Sequence, residues 1–298
     1  MVTCEPLNFA GHFFLIIGSK SMSKSEKIQI RIKGQLRDFS TPWVMGILNF
    51  TPDSFFDGGR YHTDFQLLEH AEKMLKEGAD VIDVGAVSTR PGAADIPMAE
   101  EREKVEHLLS LLRKEFPEAV VSVDTWRAEV AESAILAGAD IINDVSGGTF
   151  DARMAEVVGR YQVPYVLMHT TAKPNCMQQQ VMGENPLAEM MQFFGNQIDI
   201  FKKAGCKDII LDPGFGFGKT LEQNYFLLHN LHAFKIFEMP ILVGISRKSM
   251  IYKLLETTPE HALNGTTVLN TLALLQGASI LRVHDVREAV ETVKLVMK

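Results

Sequence analysis

The sequence predicts an α/β fold: a (β/α)8 TIM barrel with an N-terminal β-hairpin at its bottom. Three observations point there. Short β-branched runs recur at eight places, spaced roughly 20–45 residues apart. Each run stops in a polar residue, and each is followed by a stretch with helical spacing. Strands alternating with helices build a parallel sheet, and eight such units close into a barrel whose active site lies at the carboxyl ends of the strands. The terminal residues are Asn49, Asp83, Asp124, Asn143 with Asp144, His169, Asp212, Ser246 with Lys248, and Arg282 with His284. Groups of this kind are costly to bury without partners, so the ring they form is the expected site.

The elements follow in order. Ile28, Ile30 and Ile32 alternate with polar residues and Gly34 turns the chain, predicting a hairpin over 28–39 that plugs the barrel bottom. The first barrel strand is expected over 43–50. Its helix should open at Thr63 with the capping box Thr63-Asp-Phe-Gln66, continue through Leu67, Leu68, Ala71, Met74 and Leu75, and close at Gly78. Further strands are placed at 81–84, 120–124, 141–145, 164–169, 209–212, 241–245 and 279–283. Helices fill the gaps at 99–115, 127–137, 151–161, 187–204, 221–233, 262–276 and 286–297. The two longest strand-to-helix connections, 50–63 and 85–98, are rich in Gly, Pro, Asp and Ser and read as lids on the catalytic face.

The totals allow one domain over 27–298, because no linker, charge block or repeat beyond the β/α rhythm interrupts it. Residues 1–26 are expected to be a disordered leader or to contain a mis-assigned start, with Met22 as the true start and the first 21 residues outside the protein. With 46% hydrophobic and 22% charged residues the chain has ample core. A net charge of −7 argues against nucleic-acid binding, which needs a basic face. Arg60, Arg90, Lys219, Lys248 and Arg282 near strand ends still suit an anionic small ligand. Cys4, Cys176 and Cys206 are too few and scattered for a disulfide framework or zinc site. No apolar run reaches the ~20 residues of a membrane helix, and no signal peptide is recognisable, so a cytoplasmic protein without membrane partners is expected.

Four residues carry the chemistry most clearly. Asp124 and Asp212 each end an apolar strand, and either alone would serve as a helix cap. With Asn143 and Lys248 in one ring they offer acceptors and a mobile cation. That set suits a flat heterocycle with an amide–amine edge, from which a carboxylate can take two parallel N–H bonds. Arg282 and His284 alternate to the same side of the last strand and can hold a phosphate or pyrophosphate. Asp212-Pro-Gly-Phe-Gly-Phe-Gly-Lys-Thr220 imitates a P-loop but has Pro213 where a glycine is required. His229 and His232 read as a surface pair rather than metal ligands, and His169 as either a core or a functional histidine.

These motifs, spread over 43–285, make the chain resemble the dihydropteroate synthases. They are Gly-Ile-Leu-Asn-Phe-Thr-Pro-Asp-Ser-Phe, Ser-Thr-Arg-Pro-Gly, Val-Asp-Thr, Asn-Asp-Val, Asp-Pro-Gly-Phe-Gly-Phe-Gly-Lys, Ser-Arg-Lys-Ser and Arg-Val-His-Asp-Val. The resemblance implies joining of 6-hydroxymethyl-7,8-dihydropterin pyrophosphate to 4-aminobenzoate with Mg2+, in a homodimer that sulfonamides inhibit. It implies that Asp124, Asn143, Asp212 and Lys248 hold the pterin, with Arg282 stacked on its face. Asn49 would ligate Mg2+, and Arg282 and His284 would grip pyrophosphate. Thr89, Pro91 and Ser249 would frame aminobenzoate beside Phe55 and Phe217, under loops carrying Asp53 and Arg90. Much of the family has Gly-Gly-Glu or Gly-Gly-Gln where this chain has Gly85-Ala86-Val87, a departure in the anchoring of the second loop. A corrinoid-linked methyltetrahydrofolate methyltransferase, a Schiff-base aldolase using Lys248 and a catalytically silent pterin-binding protein are the rival readings.

Overall fold

Eight parallel strands run in sequence order around a barrel in a computed structural model of the chain. The structure describes residues 28–49, 60–86, 96–172 and 181–298, with side chains described from 64 onward in the first helix. The expectations for residues 1–26 and for Asp53, Phe55, Thr89, Arg90 and Pro91 lie outside the described residues.

The hairpin is β1 (Gln29–Ile32) and β2 (Gln35–Asp38), antiparallel. The barrel strands are β3 (Trp43–Asn49), β4 (Val81–Gly85), β5 (Val121–Asp124), β6 (Ile141–Asp144), β7 (Tyr165–Met168), β8 (Ile209–Asp212), β9 (Leu242–Val243) and β10 (Ile280–Val283). β10 pairs with β3, and a single Leu211↔Ile241 bridge joins β8 to the strand-nine segment, closing the circle. Between strands lie α1 (Arg60–Glu77), α2 (Met98–Glu115), α3 (Ala128–Leu136), α4 (Met154–Tyr161), α5 (Pro186–Lys203), α6 (Leu221–His229), α7 (Ser249–Tyr252), α8 (Leu263–Leu275) and, last, α9 (Val286–Val296).

Because strand side chains alternate, each strand feeds two cores. Val44, Leu48, Ile82, Val84, Val121, Val123, Ile142, Leu167, Leu211 and Leu281 face the helices. Met45, Val81, Val120, Ile141, Val166, Ile210, Leu242 and Ile280 fill the barrel bottom, where Ile30 and Ile32 of the hairpin join them. The hairpin is therefore the plug expected from its alternation. Gly46 of β3 lets α1 lie close, since a Cβ there would stand 2.8 Å from Met74 Sδ.

Three expectations need correction. α1 begins at Arg60, three residues before Thr63, so Thr63 sits within the helix and does not open it. The capping box belongs instead to α6, where the Thr220 hydroxyl accepts from Gln223 N and the Gln223 side chain from Thr220 N. α6 also stops at His229; a 3-10 turn, Leu231–Phe237, carries the chain on, so His229 and His232 do not share one helix. Finally, the seventh barrel strand shrinks from 241–245 to two residues. Beyond it the chain must swing to Arg247, whose positive φ of 55° ends any strand.

Candidate active site

Two residues above the apolar bottom layer, the same inward alternation places polar side chains. Val81 leads to Asp83, Ile141 to Asn143, Ile210 to Asp212, Ile280 to Arg282, and Val120 through Ser122 to Asp124. The strand register aligns Asn49, Gly85, Asp124 and Asn143 as neighbours across β3 to β6. Asn49 ends this row exposed at the rim, whereas Asp124 and Asn143 are buried.

The layer is tied together by charge. Arg282 Nε donates to Asp83 Oδ2 at 2.7 Å and its Nη2 to Asp124 Oδ2 at 3.0 Å. Asn143 Nδ2 donates to the same Asp83 oxygen at 3.0 Å. Asp124 Oδ1, buried and facing this layer, has no hydrogen-bond partner among the described residues. Burial pushes the Asp124 carboxyl up to about 7, against the pull of Arg282 and with the help of Asp83. Asp212 is also raised by burial, countered chiefly by Lys248, and its Oδ1 accepts from Gly214 N at 2.7 Å.

Lys248 reaches this layer from the N-terminus of α7. Its Nζ donates to Phe215 O at 2.5 Å and lies 4.6 Å from the centre of the Phe217 ring. Burial lowers the amine to about 8; Asp212 and Asp124 oppose that shift and Arg282 adds to it. Beside it, Ser246 Oγ lies 3.0 Å from His284 Nδ1 and accepts from His284 N at 3.2 Å. Arg247, next in the chain, turns away and forks onto Asp285 at 2.8 and 2.7 Å. Asp285 thus serves Arg247, leaving Arg282 to the inner carboxylates.

The structure brings together Asp124, Asn143, Asp212, Lys248 and Arg282, with His284 and half-buried Phe217 just beyond the strand ends and Ser249 at the start of α7. Asp144, next to Asn143, points outward and is structural: its carboxylate takes Tyr165 Oη at 2.8 Å, Ser146 N at 2.7 Å and Gly148 N at 3.0 Å. His169 is buried with burial holding it near pKa 3, so it is neutral and belongs to the wall. Among the described residues no group of three His, Cys, Asp or Glu could hold a metal ion. Sequence reasoning named Asp83 as a strand end without giving it a role. The signal was there: it stands two residues beyond Val81, in phase with Arg282 two beyond Ile280.

A family model described as pterin binding enzyme matches residues 45–284. The dihydropteroate synthase of Escherichia coli strain K12 is 42% identical over 266 residues, covering 89% of this chain and 94% of that protein. The Yersinia pestis dihydropteroate synthase solved with a sulfonamide drug complex superposes with a TM-score of 0.84 at 40% identity, covering 90% of this chain and 98% of that one. The Xanthomonas albilineans dihydropteroate synthase solved with 4-aminobenzoic acid gives 0.83 at 35% identity, covering 90% and 97%.

Proposed function

This chain belongs to the dihydropteroate synthase family of pterin-binding enzymes, and from that premise we propose how its site works. It is a transferase of folate biosynthesis that joins 6-hydroxymethyl-7,8-dihydropterin pyrophosphate to 4-aminobenzoate, giving dihydropteroate and pyrophosphate. The observation that carries the pterin reading is Asp124 Oδ1: a buried carboxylate oxygen without a partner among the described residues, beside Asn143, Asp212 and Lys248. A pterin edge supplies the N–H donors that such an oxygen lacks.

In this reading Asp124, Asn143 and Asp212 bind the ring edge, Lys248 donates to its acceptors, and Arg282 lies against its face. Arg282 and His284 hold the pyrophosphate. The methylene C–O bond breaks first, and its electron pair leaves with pyrophosphate. The pterin cation that remains is favoured by the ionised Asp124 carboxylate. The arylamine lone pair then forms the C–N bond, and the amine loses a proton to pyrophosphate or solvent. That step needs placement of a weak nucleophile more than its activation. Phe217 and Ser249 frame the aminobenzoate, together with Phe55, Thr89 and Pro91; Asp53 and Arg90 close over the complex.

A single amide oxygen such as Asn49 at the rim suits Mg2+, which keeps several waters and is bound largely through substrate phosphates. When bound there it would neutralise charge developing on the pyrophosphate. Among the described residues no helix is long and apolar enough to cross a membrane; a cytoplasmic location accords with this and remains part of the proposal. Exposed Phe226, Leu254, Val268 and Leu275 around α6 to α8 support a homodimer, which sedimentation would test.

The deciding assay combines the pterin pyrophosphate, Mg2+ and labelled 4-aminobenzoate. Dihydropteroate formation that a sulfonamide blocks is expected. Pterin binding without product would leave a silent pterin-binding protein.

A further inference from the structure

Lys219 is a buried amine that the mechanism above leaves unused; burial lowers it to about 7, against the pull of Asp212. Its Nζ is caged by oxygens and one imidazole nitrogen: Phe217 O at 2.8 Å, Gly214 O at 2.9 Å, His169 O at 3.3 Å and His169 Nδ1 at 3.1 Å. The neutral state of His169 leaves Nδ1 free to accept from the ammonium. Two of the carbonyls belong to the loop between β8 and α6, and the third is that of His169, the residue after β7. The amine therefore folds the loop 213–219 back on itself and fastens it to the neighbouring strand end.

The outer side of that loop meets Lys248. Phe215 O accepts from Lys248 Nζ, and the Phe217 ring lies beside the same ammonium. Gly214 and Gly218, at φ +66° and +60°, turn the loop so tightly that a Cβ on Gly214 would strike His169 O. Carbonyls converging on one point repel each other, and the N–H donors of the buried amine are what make the convergence favourable.

We propose that Lys219 is a positioning residue for the synthase reaction: it shapes the 213–219 loop so that Phe217 frames the arylamine and Phe215 O aims the Lys248 amine. This rests on the dihydropteroate synthase reading. A cage that merely stabilised the fold would leave the kinetics of the folded molecules unchanged. A positioning role changes them selectively, because Asp124 and Asn143 sit on strands that Lys219 does not touch.

The test is a cycle of Lys219→Met, Phe217→Leu and the double variant. The readouts are steady-state kinetics for both substrates, pterin affinity by calorimetry, and amide exchange over 213–219. Expected for Lys219→Met is a rise of about tenfold in KM for 4-aminobenzoate, equivalent to roughly 1.4 kcal/mol, with a smaller loss of pterin affinity and faster loop exchange. The double variant should be little worse than the worse single variant, because both act through one ring. Lys219→Gln, which keeps an N–H donor, should recover part of the effect and serves as the first variant if Lys219→Met does not fold. Unchanged KM in folded Lys219→Met and Lys219→Gln, or fully additive effects in the cycle, would overturn the proposal. A wild-type protein that binds pterin but makes no dihydropteroate would instead sink the reading on which it rests.

Discussion

Asp83 Oδ2 stands 2.7 Å from Arg282 Nε, joining the second barrel strand to the eighth across the barrel interior. The same oxygen also accepts from Asn143, so one carboxylate orients a cation and an amide of the proposed pterin site. Removing one partner of a buried ion pair costs about 3–5 kcal/mol. Asp83→Ala should therefore lose stability on that scale in urea unfolding. Asp83→Asn, which keeps the shape, should lose less stability and still lose pterin affinity in calorimetry. Wild-type affinity in Asp83→Asn would separate Asp83 from the site.

The two groups with opposite demands set a pH window. Asp124 accepts two parallel pterin N–H bonds at full strength only when ionised, so binding weakens as pH falls through about 7. Lys248 donates with full charge only when protonated, so its contribution fades as pH rises through about 8. A bell-shaped kcat/KM for the pterin pyrophosphate, with its maximum between these values, is expected. A profile flat from pH 6 to 9 would contradict it.

Lys248→Ala should lower turnover on the order of 10²–10³-fold, since it removes a charged contact at the pterin and frees Phe215 O. Near-wild-type single-turnover rates in this variant would remove Lys248 from the mechanism.

Asn49→Ala probes the metal assignment through the cation itself. The Mg2+ concentration giving half-maximal turnover should rise about tenfold, while pterin lacking pyrophosphate should bind as before. An unchanged Mg2+ titration would move the ion elsewhere.

At the opposite pole, Ile32→Ala should cost about 2–5 kcal/mol by leaving a cavity in the plug, with kcat and KM unchanged. Ile32 is only 1% exposed and lies with Val81, Ile141 and Ile280, beneath the catalytic layer. A large kinetic effect would mean that strain passes from plug to site.

The barrel was legible because parallel strands buried on both faces leave apolar runs too dense to mistake, and strand ends announce themselves by a polar residue. Asp124, Asn143, Asp212, Lys248 and Arg282 were singled out that way, and the structure places them in one layer. Hidden from that reading were relations between side chains: the phase of Asp83 with Arg282 puts both inside the barrel but does not show that they pair, and Pro213 excludes a phosphate loop without revealing the carbonyl cage around Lys219. The capping box was misplaced because Thr63-Asp-Phe-Gln66 and Thr220-Leu-Glu-Gln223 carry the same local signal, and only the second coincides with a helix start. The brevity of β9 was equally unreadable, since residues 241–245 are as apolar as the neighbouring strands, yet the paired segment is only Leu242–Val243.

That short ninth strand has a consequence for how the molecule holds together. Around most of the circle each neighbour is laced to the next over several residues, but between β8 and β9 a single bridge completes the ring. Asp212 stands on one side of this seam and Lys248 on the other. A substrate that grips both would act as a clasp across the most lightly laced joint of the hoop.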